Sequence, residues 1–283
     1  MKKIAALIVT YNRKDWLRRN LEAIFAQTRL PDAVFVVDNA STDGTNEFLR
    51  DNYINRIVYI RLNENTGGSG GFYEGIKAIH QTKEYDWIWL MDDDAIPSKY
   101  ALETLLKYAN SDKIGILQNE MITDEEKFLV SNKPIRTYLK RRYLGMFVGY
   151  MINTKVVDKV GYPNKDFFIY YDDSEYTFRV IRSGYKVYTV KGSYIFHRDW
   201  LRLTEKIKKF PFSKPKIAHW KIYYIFRNAF YIFENPILKY PFLFFMLYID
   251  KFIWIYLDPS YKEYIDKGIS DGKNGVMGKV LHP

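Results

Sequence analysis

Trp87-Ile88-Trp89-Leu90-Met91-Asp92-Asp93-Asp94 carries five apolar residues directly into three carboxylates. A short apolar run of this kind suits a strand buried on both faces of a parallel sheet. Three adjacent Asp side chains at its carboxyl end repel one another unless a cation compensates them. An isolated Asp triplet reads as a solvated acidic turn. The hydrophobic strand ending on this one argues instead for an oxygen-ligand site suited to Mg2+ or Mn2+, ions that bridge phosphate oxygens.

The pattern continues on both sides of this stretch. Ile4–Val9, Ala33–Val37, Ile57–Arg61 and Gly115–Gln118 are further short apolar runs. Helix-like segments near Lys14–Ala26, Gly44–Asp51, Gly70–Gln81 and Ser98–Tyr108 separate them. Such alternation predicts an α/β domain with a Rossmann-like, mostly parallel central sheet flanked by helices. Ligands of such sheets bind outside the carboxyl ends of the strands. The polar motifs fall there.

Thr10-Tyr11-Asn12 follows the first strand and offers an aromatic ring to stack on a base, with a side-chain amide beside it. Asp38-Asn39-Ala40-Ser41-Thr42-Asp43-Gly44 follows the second, where Asp38 can accept hydrogen bonds from a base or ribose. Asp43, just before Gly44, fits a helix cap equally well. Asn65-Thr66-Gly67-Gly68-Ser69-Gly70-Gly71-Phe72 follows the third strand. Its glycines let the backbone approach a ligand, and the helix behind it offers N–H groups to an anion. The G-x-G-x-x-G spacing of a dinucleotide turn is absent. Further on, Asp172-Asp173-Ser174-Glu175 reads on its own as an acidic helix start stabilised by the helix dipole. His197 closes the apolar run Tyr194–Phe196, so a strand end could aim it at a metal. His80, His219 and His282 read as structural.

Composition narrows the partners. The chain of 283 residues has 25 Tyr, 19 Phe and 6 Trp and a net charge of +10. Aromatic rings stack on sugars and sit at membrane interfaces, and basic clusters around Lys140–Arg142 and Lys206–Lys221 attract phosphates. The cleft implied by the motifs is acidic and Gly-rich, which argues against nucleic acid as the partner of those bases. With 0 Cys, disulfides, zinc-thiolate sites and a cysteine nucleophile are excluded. Met1-Lys2-Lys3 runs straight into an apolar stretch too short for a signal-peptide core, from which a cytoplasmic protein is expected. Residues 123–142 look like a charged loop or insertion, and the aromatic, Lys-rich C-terminal part like a helical subdomain. Phe242–Leu257 is apolar but too short for the roughly 20 residues of a spanning helix. It fits a helix lying in the interface or one buried against the main domain. The expected division is therefore 1–118, 119–204 and 205–283.

Thr10-Tyr11-Asn12, the Asp38–Gly44 stretch and the Asp triplet together resemble the nucleotide-sugar site of the family 2 glycosyltransferases, which adopt the GT-A fold. Asn65–Phe72 resembles the branch containing bacterial galactofuranosyltransferases and rhamnosyltransferases. That resemblance implies an inverting, metal-dependent enzyme using a UDP- or dTDP-linked sugar and a glycan or lipid-linked acceptor. It implies that Thr10, Tyr11, Asn12 and Asp38 hold the nucleoside, with Asn65, Gly67 and Gly68 lining the same pocket. Asp92 and Asp94 would hold the divalent cation, His197 would complete its shell, and Asp93 would contact the donor sugar. Phe168–Glu175 resembles the family's acidic catalytic motif, in which Asp173, paired with Asp172, matches the general base. Trp220–Asn228 resembles a helix that follows the histidine. A peripheral contact with the anionic inner face of the cytoplasmic membrane fits the basic, aromatic C-terminal part.

Overall fold

The computed structural model describes residues 2–125, 128, 136–143, 145–197, 217–234 and 241–281. The first elements in chain order are β1 (Ile4–Thr10), α1 (Lys14–Phe25), β2 (Ala33–Asp38), α2 (Thr45–Tyr53), β3 (Val58–Arg61), α3 (Gly67–Thr82), β4 (Trp87–Asp92), β5 (Ala95–Pro97) and α4 (Ala101–Leu106). There follow β6 (Ile114–Ile122), β7 (Tyr138–Arg141), β8 (Tyr150–Asn153), α5 (Thr154–Val160), α6 (Asp172–Arg182) and β9 (Lys186–His197). Among the described residues three further helices follow: α7 (His219–Glu234), α8 (Pro241–Leu257) and α9 (Lys262–Lys273).

Nine strands form one sheet in the order β3-β2-β1-β4-β8-β6-β9-β5, with β7 alongside β9. From β3 to β4 every pairing is parallel, as the apolar runs predict; beyond β4 the sheet is mixed. Every residue of β1 is buried, because helices cover both faces. Successive residues alternate between two cores: Ile4, Ala6 and Ile8 meet Leu17, Leu21 and Trp89 on one face. Ala5, Leu7 and Val9 meet Ile76, Ile79 and Leu90 on the other. Each fully buried aliphatic side chain contributes about 1.5–3 kcal/mol, so this double coverage fixes β1 and β4 as the rigid centre.

The charged stretch 123–142, expected to be irregular, ends in β7. That strand runs antiparallel to β9, pairing Tyr138 with Lys191 and Arg141 with Tyr188. Its residues alternate exposed and half-buried, so it carries little apolar signal. Most of the basic stretch 206–221, and Arg198-Asp199-Trp200, lie outside the described residues, as does His282.

The C-terminal helices build a third core from Ile222, Phe226 and Phe230 of α7, Leu247 of α8, and Ile265 and Ile269 of α9. The α9–α7 contact is close enough to need glycine. A Cβ on Gly272 would lie 2.3 Å from the Arg227 carbonyl oxygen, and one on Gly268 would lie 2.6 Å from that of Tyr223. On α8, Leu247 faces inward while Phe252 and Tyr256 are 69% and 87% exposed. No helix among the described residues is long and apolar enough to cross a membrane.

Candidate active site

Parallel register brings the polar motifs to one edge. Thr10 pairs with Asp38, and Val9 with Asp92, so the ends of β2, β1 and β4 are level. The chain turns from β1 towards β2 on one side and later returns to β4 on the other. That reversal is the crevice where open α/β sheets take ligands. Across it, Thr10 Oγ1 donates to Asp93 Oδ2 at 2.8 Å, and the Tyr11 N–H donates to the same oxygen at 3.3 Å.

After Asp94 the chain forms β5, whose Ala95 pairs with His197 at the end of β9. His197 Nε2 thereby sits 3.1 Å from Asp94 Oδ1. One ligand atom each from Asp92, Asp94 and His197 lie within 4.8 Å of one another. Two carboxylates and an imidazole form a mixed O/N donor set suited to a divalent cation such as Mn2+. The sequence reading of these three as neighbours is what the fold delivers. It missed Arg13, whose guanidinium pairs with Asp94 and lies 3.5 Å from Asp93 Oδ1. Its only sequence signal is its place directly after Thr10-Tyr11-Asn12.

Electrostatics agree with a site built for positive charge. Burial drives the Asp93 carboxyl up to about 7, with Arg13 pulling the other way. Burial, then the neighbouring Asp94, also raises Asp92. Asp94 resists burial because His197 and Arg13 together hold it below the usual range. Carboxylates crowded out of water in this way favour a compensating cation.

The loops beside the crevice hold one another through side chains. Asn12, at φ 53°, accepts from the Thr42 N–H at 2.7 Å. Asp38 is fully buried: it accepts from the Ser41 N–H at 2.8 Å, the Tyr59 hydroxyl at 2.9 Å and Arg61 Nη1 at 2.9 Å. Asp43 accepts from the N–H groups of Lys14 and Thr45, so it caps the starts of α1 and α2. Asn39, which the sequence reading passed over, donates to the Gly67 carbonyl at 2.7 Å and accepts from the Thr66 N–H at 3.1 Å. Asn65 Oδ1 accepts from the Gly67 N–H at 2.9 Å. Tyr11 is 39% exposed, and nothing lies within 4 Å of a Cβ built on Gly68, so both face open space.

Gly67 has a different neighbour. Its φ is +74°, and a Cβ there would lie 2.0 Å from the Phe168 carbonyl oxygen, which the Ser69 N–H reaches at 3.1 Å. The Gly-rich turn therefore packs directly on the segment leading to Asp172 and Asp173. Those two residues open α6, whose first turn is acidic and whose last turn carries Arg179 and Arg182. Glu175 is taken up by Arg179 through two bonds of 2.6 and 2.9 Å. Asp173 is half-buried and Asp172 buried. Burial, then the charge of Asp172, raises the Asp173 carboxyl well above the usual carboxylate range. Burial raises Asp172 as well, with the Ser69 hydroxyl opposing it. Phe168, Tyr170 and Tyr171, just upstream, have φ of 66°, 64° and 67°. Left-handed backbone costs a non-Gly residue about 1–2 kcal/mol, so the surroundings must impose this turn.

A parallel half-sheet with a crevice at its point of reversal, and an acidic cluster at the strand ends beside it, is the architecture of the GT-A fold. The chain belongs to glycosyl transferase family 2, whose sequence profile matches residues 5–170. It is 29% identical over 204 residues to galactofuranosyltransferase GlfT1 of Mycolicibacterium smegmatis, covering 64% of this chain and 66% of that protein's length. It is 29% identical over 122 residues to O-antigen chain rhamnosyltransferase WbaN of Salmonella anatum, covering 41% of this chain and 36% of that one. The fold is similar to that of mannosyltransferase PcManGT from Pyrobaculum calidifontis, solved with GDP-Man and Mn2+. The TM-score is 0.60 at 16% identity, over 96% of this chain and 75% of that one.

Proposed function

We propose that this protein is an inverting, metal-dependent glycosyltransferase that moves galactofuranose from UDP-galactofuranose to a cell-surface glycan or lipid-linked acceptor. The observation that carries the reading is the convergence of Asp92, Asp94 and His197 at one edge of the sheet, with Asp172 near enough to raise Asp92 and Asp92 near enough to raise Asp173. The donor half is 1–118, the acceptor and catalytic half 119–204, and the C-terminal helical region 205–283.

Tyr11 stacks on the base, and Thr10 and Asn12 hold the nucleoside. Asp38, turned inward, shapes the floor of that pocket, and Asn65, Gly67 and Gly68 line its far side. Asp92, Asp94 and His197 would hold Mn2+ or Mg2+, which when bound would neutralise the charge of the departing diphosphate. Asp93 contacts the donor sugar. Asp173 takes the proton from the acceptor hydroxyl as its oxygen attacks the anomeric carbon. The bond from that carbon to the phosphate oxygen breaks, and the nucleoside diphosphate leaves with the electron pair. A single displacement inverts the anomeric centre. Asp172, buried behind Asp173, keeps the base poised by raising its proton affinity.

The first test is a titration of UDP and dTDP by calorimetry, each with and without Mn2+. Mn2+-dependent binding of UDP alone is the expected result, and a preference for dTDP would instead support the rhamnosyltransferase reading favoured by the WbaN match. His197→Ala is expected to weaken Mn2+ affinity by more than the roughly 10–100-fold that loss of an outer-shell partner costs, because the imidazole would itself be a ligand. The free Mn2+ signal in electron paramagnetic resonance reports it, and unchanged affinity would remove His197 from the shell.

Exposed Phe252 and Tyr256, one helical turn apart on α8, support a peripheral contact with anionic lipid. Co-sedimentation with phosphatidylglycerol vesicles at low salt should fall when both are changed to Ser. Equal sedimentation of the two forms would exclude this face.

A further inference from the structure

The backbone turn ahead of Asp172 and Asp173 is held by two buried residues from a distant helix. Arg227 and Asn228 of α7 are both 0% exposed. Asn228 Nδ2 lies 3.1, 2.7 and 2.9 Å from the carbonyl oxygens of Phe167, Ile169 and Tyr170. Arg227 Nη2 donates to the carbonyls of Asp166 and Phe167 at 3.1 and 2.8 Å. Arg227 Nε donates to Asn228 Oδ1 at 2.8 Å, which fixes the amide with its NH2 towards the turn. The guanidinium also packs over the Tyr224 ring at 4.6 Å and reaches the Gly278 carbonyl at 2.5 Å. From the other side, the Gly278 N–H donates to the Asp166 carbonyl at 2.7 Å.

These donors meet carbonyls of residues 166, 167, 169 and 170, which the left-handed turn gathers on one side. Without such partners the buried Phe167 carbonyl and the partly buried carbonyls of Asp166, Ile169 and Tyr170 would open the turn towards water, or let Tyr170 and Tyr171 return to negative φ. Either change rotates the start of α6 and with it Asp173. The donor loops hang on β1, β2 and α3 and take no bond from Arg227 or Asn228 themselves. They meet the turn through the Ser69 N–H on the Phe168 carbonyl, and the Gly278-Lys279 segment through Lys279 on the Asn65 carbonyl. A change at the clamp therefore reaches the base first and donor binding only at second hand.

We propose that Arg227 and Asn228 are positioning residues that clamp the strained 166–171 turn and so aim the Asp172–Asp173 pair, setting turnover far more than donor binding. The inference rests on reading Asp173 as the base. Asn228→Asp keeps the shape but turns a carboxylate towards three carbonyls. Arg227→Lys keeps a cation but loses the fork. With UDP-galactofuranose, Mn2+ and an octyl galactoside acceptor, Asn228→Asp is expected to lower kcat about 100-fold, the cost of a misplaced reacting group. The KM for donor and the Kd for UDP should stay within about threefold, and the acidic limb of the kcat profile should move as the surroundings of Asp173 change. Ile265→Val, in the α9–α7 core, supplies a comparison that loosens the subdomain while leaving every hydrogen bond from Arg227 and Asn228 to the turn in place.

The proposal is overturned if both clamp variants lose no more kcat than Ile265→Val at a matched fall in melting temperature. It is equally overturned if UDP binding falls in step with kcat. Arg227→Lys gives the reading alone if Asn228→Asp does not fold. Asp173→Asn in the same assay separates the two claims. Normal turnover there removes the base and this inference together. An inactive Asp173→Asn beside a normal Asn228→Asp removes the positioning claim only.

Discussion

Asp173→Asn is expected to lower kcat about a thousandfold, within the range that a positioned general base contributes. The amide has the shape of the carboxyl and its oxygen can still accept the Ser174 N–H, a bond of 2.6 Å to Oδ1, so the start of α6 stays in place. What it cannot do is take a proton. UDP binding in the presence of Mn2+ should therefore be unchanged, which separates loss of chemistry from loss of the pocket. The pH dependence has a definite sign. The base works only when ionised, so activity falls as pH drops through its folded-state pKa. Burial and Asp172 raise that value, so the acidic limb should lie above the range of ordinary carboxylates. In Asp173→Asn the residual rate should lack this limb. Near-normal turnover in the variant would end the assignment.

Gly67→Ala should be the most damaging single methyl in the donor half. Its Cβ would meet the Phe168 backbone oxygen at 2.0 Å, and its φ of +74° is one that alanine adopts only under strain. Overpacking and left-handed strain each cost about 1–3 kcal/mol, so a combined loss of about 2–6 kcal/mol is expected. For a chain of this size that lowers the melting temperature by roughly 3–10 °C. The neighbouring Gly68→Ala meets open space and should fall by far less. Calorimetry of the two variants makes the comparison, and equal melting temperatures would show that the turn does not rest on the catalytic segment. Because Phe168 belongs to that segment, Gly67→Ala should also lower kcat in the fraction that remains folded.

The strand ends were legible because their signal is local. Apolar runs stop at Thr10, Asp38 and Asp92, and a parallel sheet places such stops level with one another. His197 was legible for the same reason, as the polar end of an apolar run. Arg13 and Asn39 were not, since their partners are set by the crossing of β1, β4 and the 64–69 loop rather than by spacing. Nor could the sequence announce the turn at Phe168–Tyr171. Tyrosine has no preference for positive φ, and the donors that impose it come from α7, about sixty residues away. The β7 strand escaped because its side chains face water as often as protein, which leaves no period to read.

The strap formed by residues 278–281 touches both sides of the crevice. Lys279 Nζ donates to the Asn65 carbonyl at 3.0 Å, the Gly278 N–H to that of Asp166 at 2.7 Å, and the Tyr224 hydroxyl to that of Leu281 at 2.9 Å. The donor loop and the catalytic turn thus share one fastener, and a shift in either is passed to the chain just before it. Val276 lies two residues upstream and is 44% exposed. In a protein with 0 Cys, Val276→Cys accepts a single fluorophore without competition. That gives an optical handle outside the pocket, able to follow nucleotide arrival and departure in real time from the surface of the molecule.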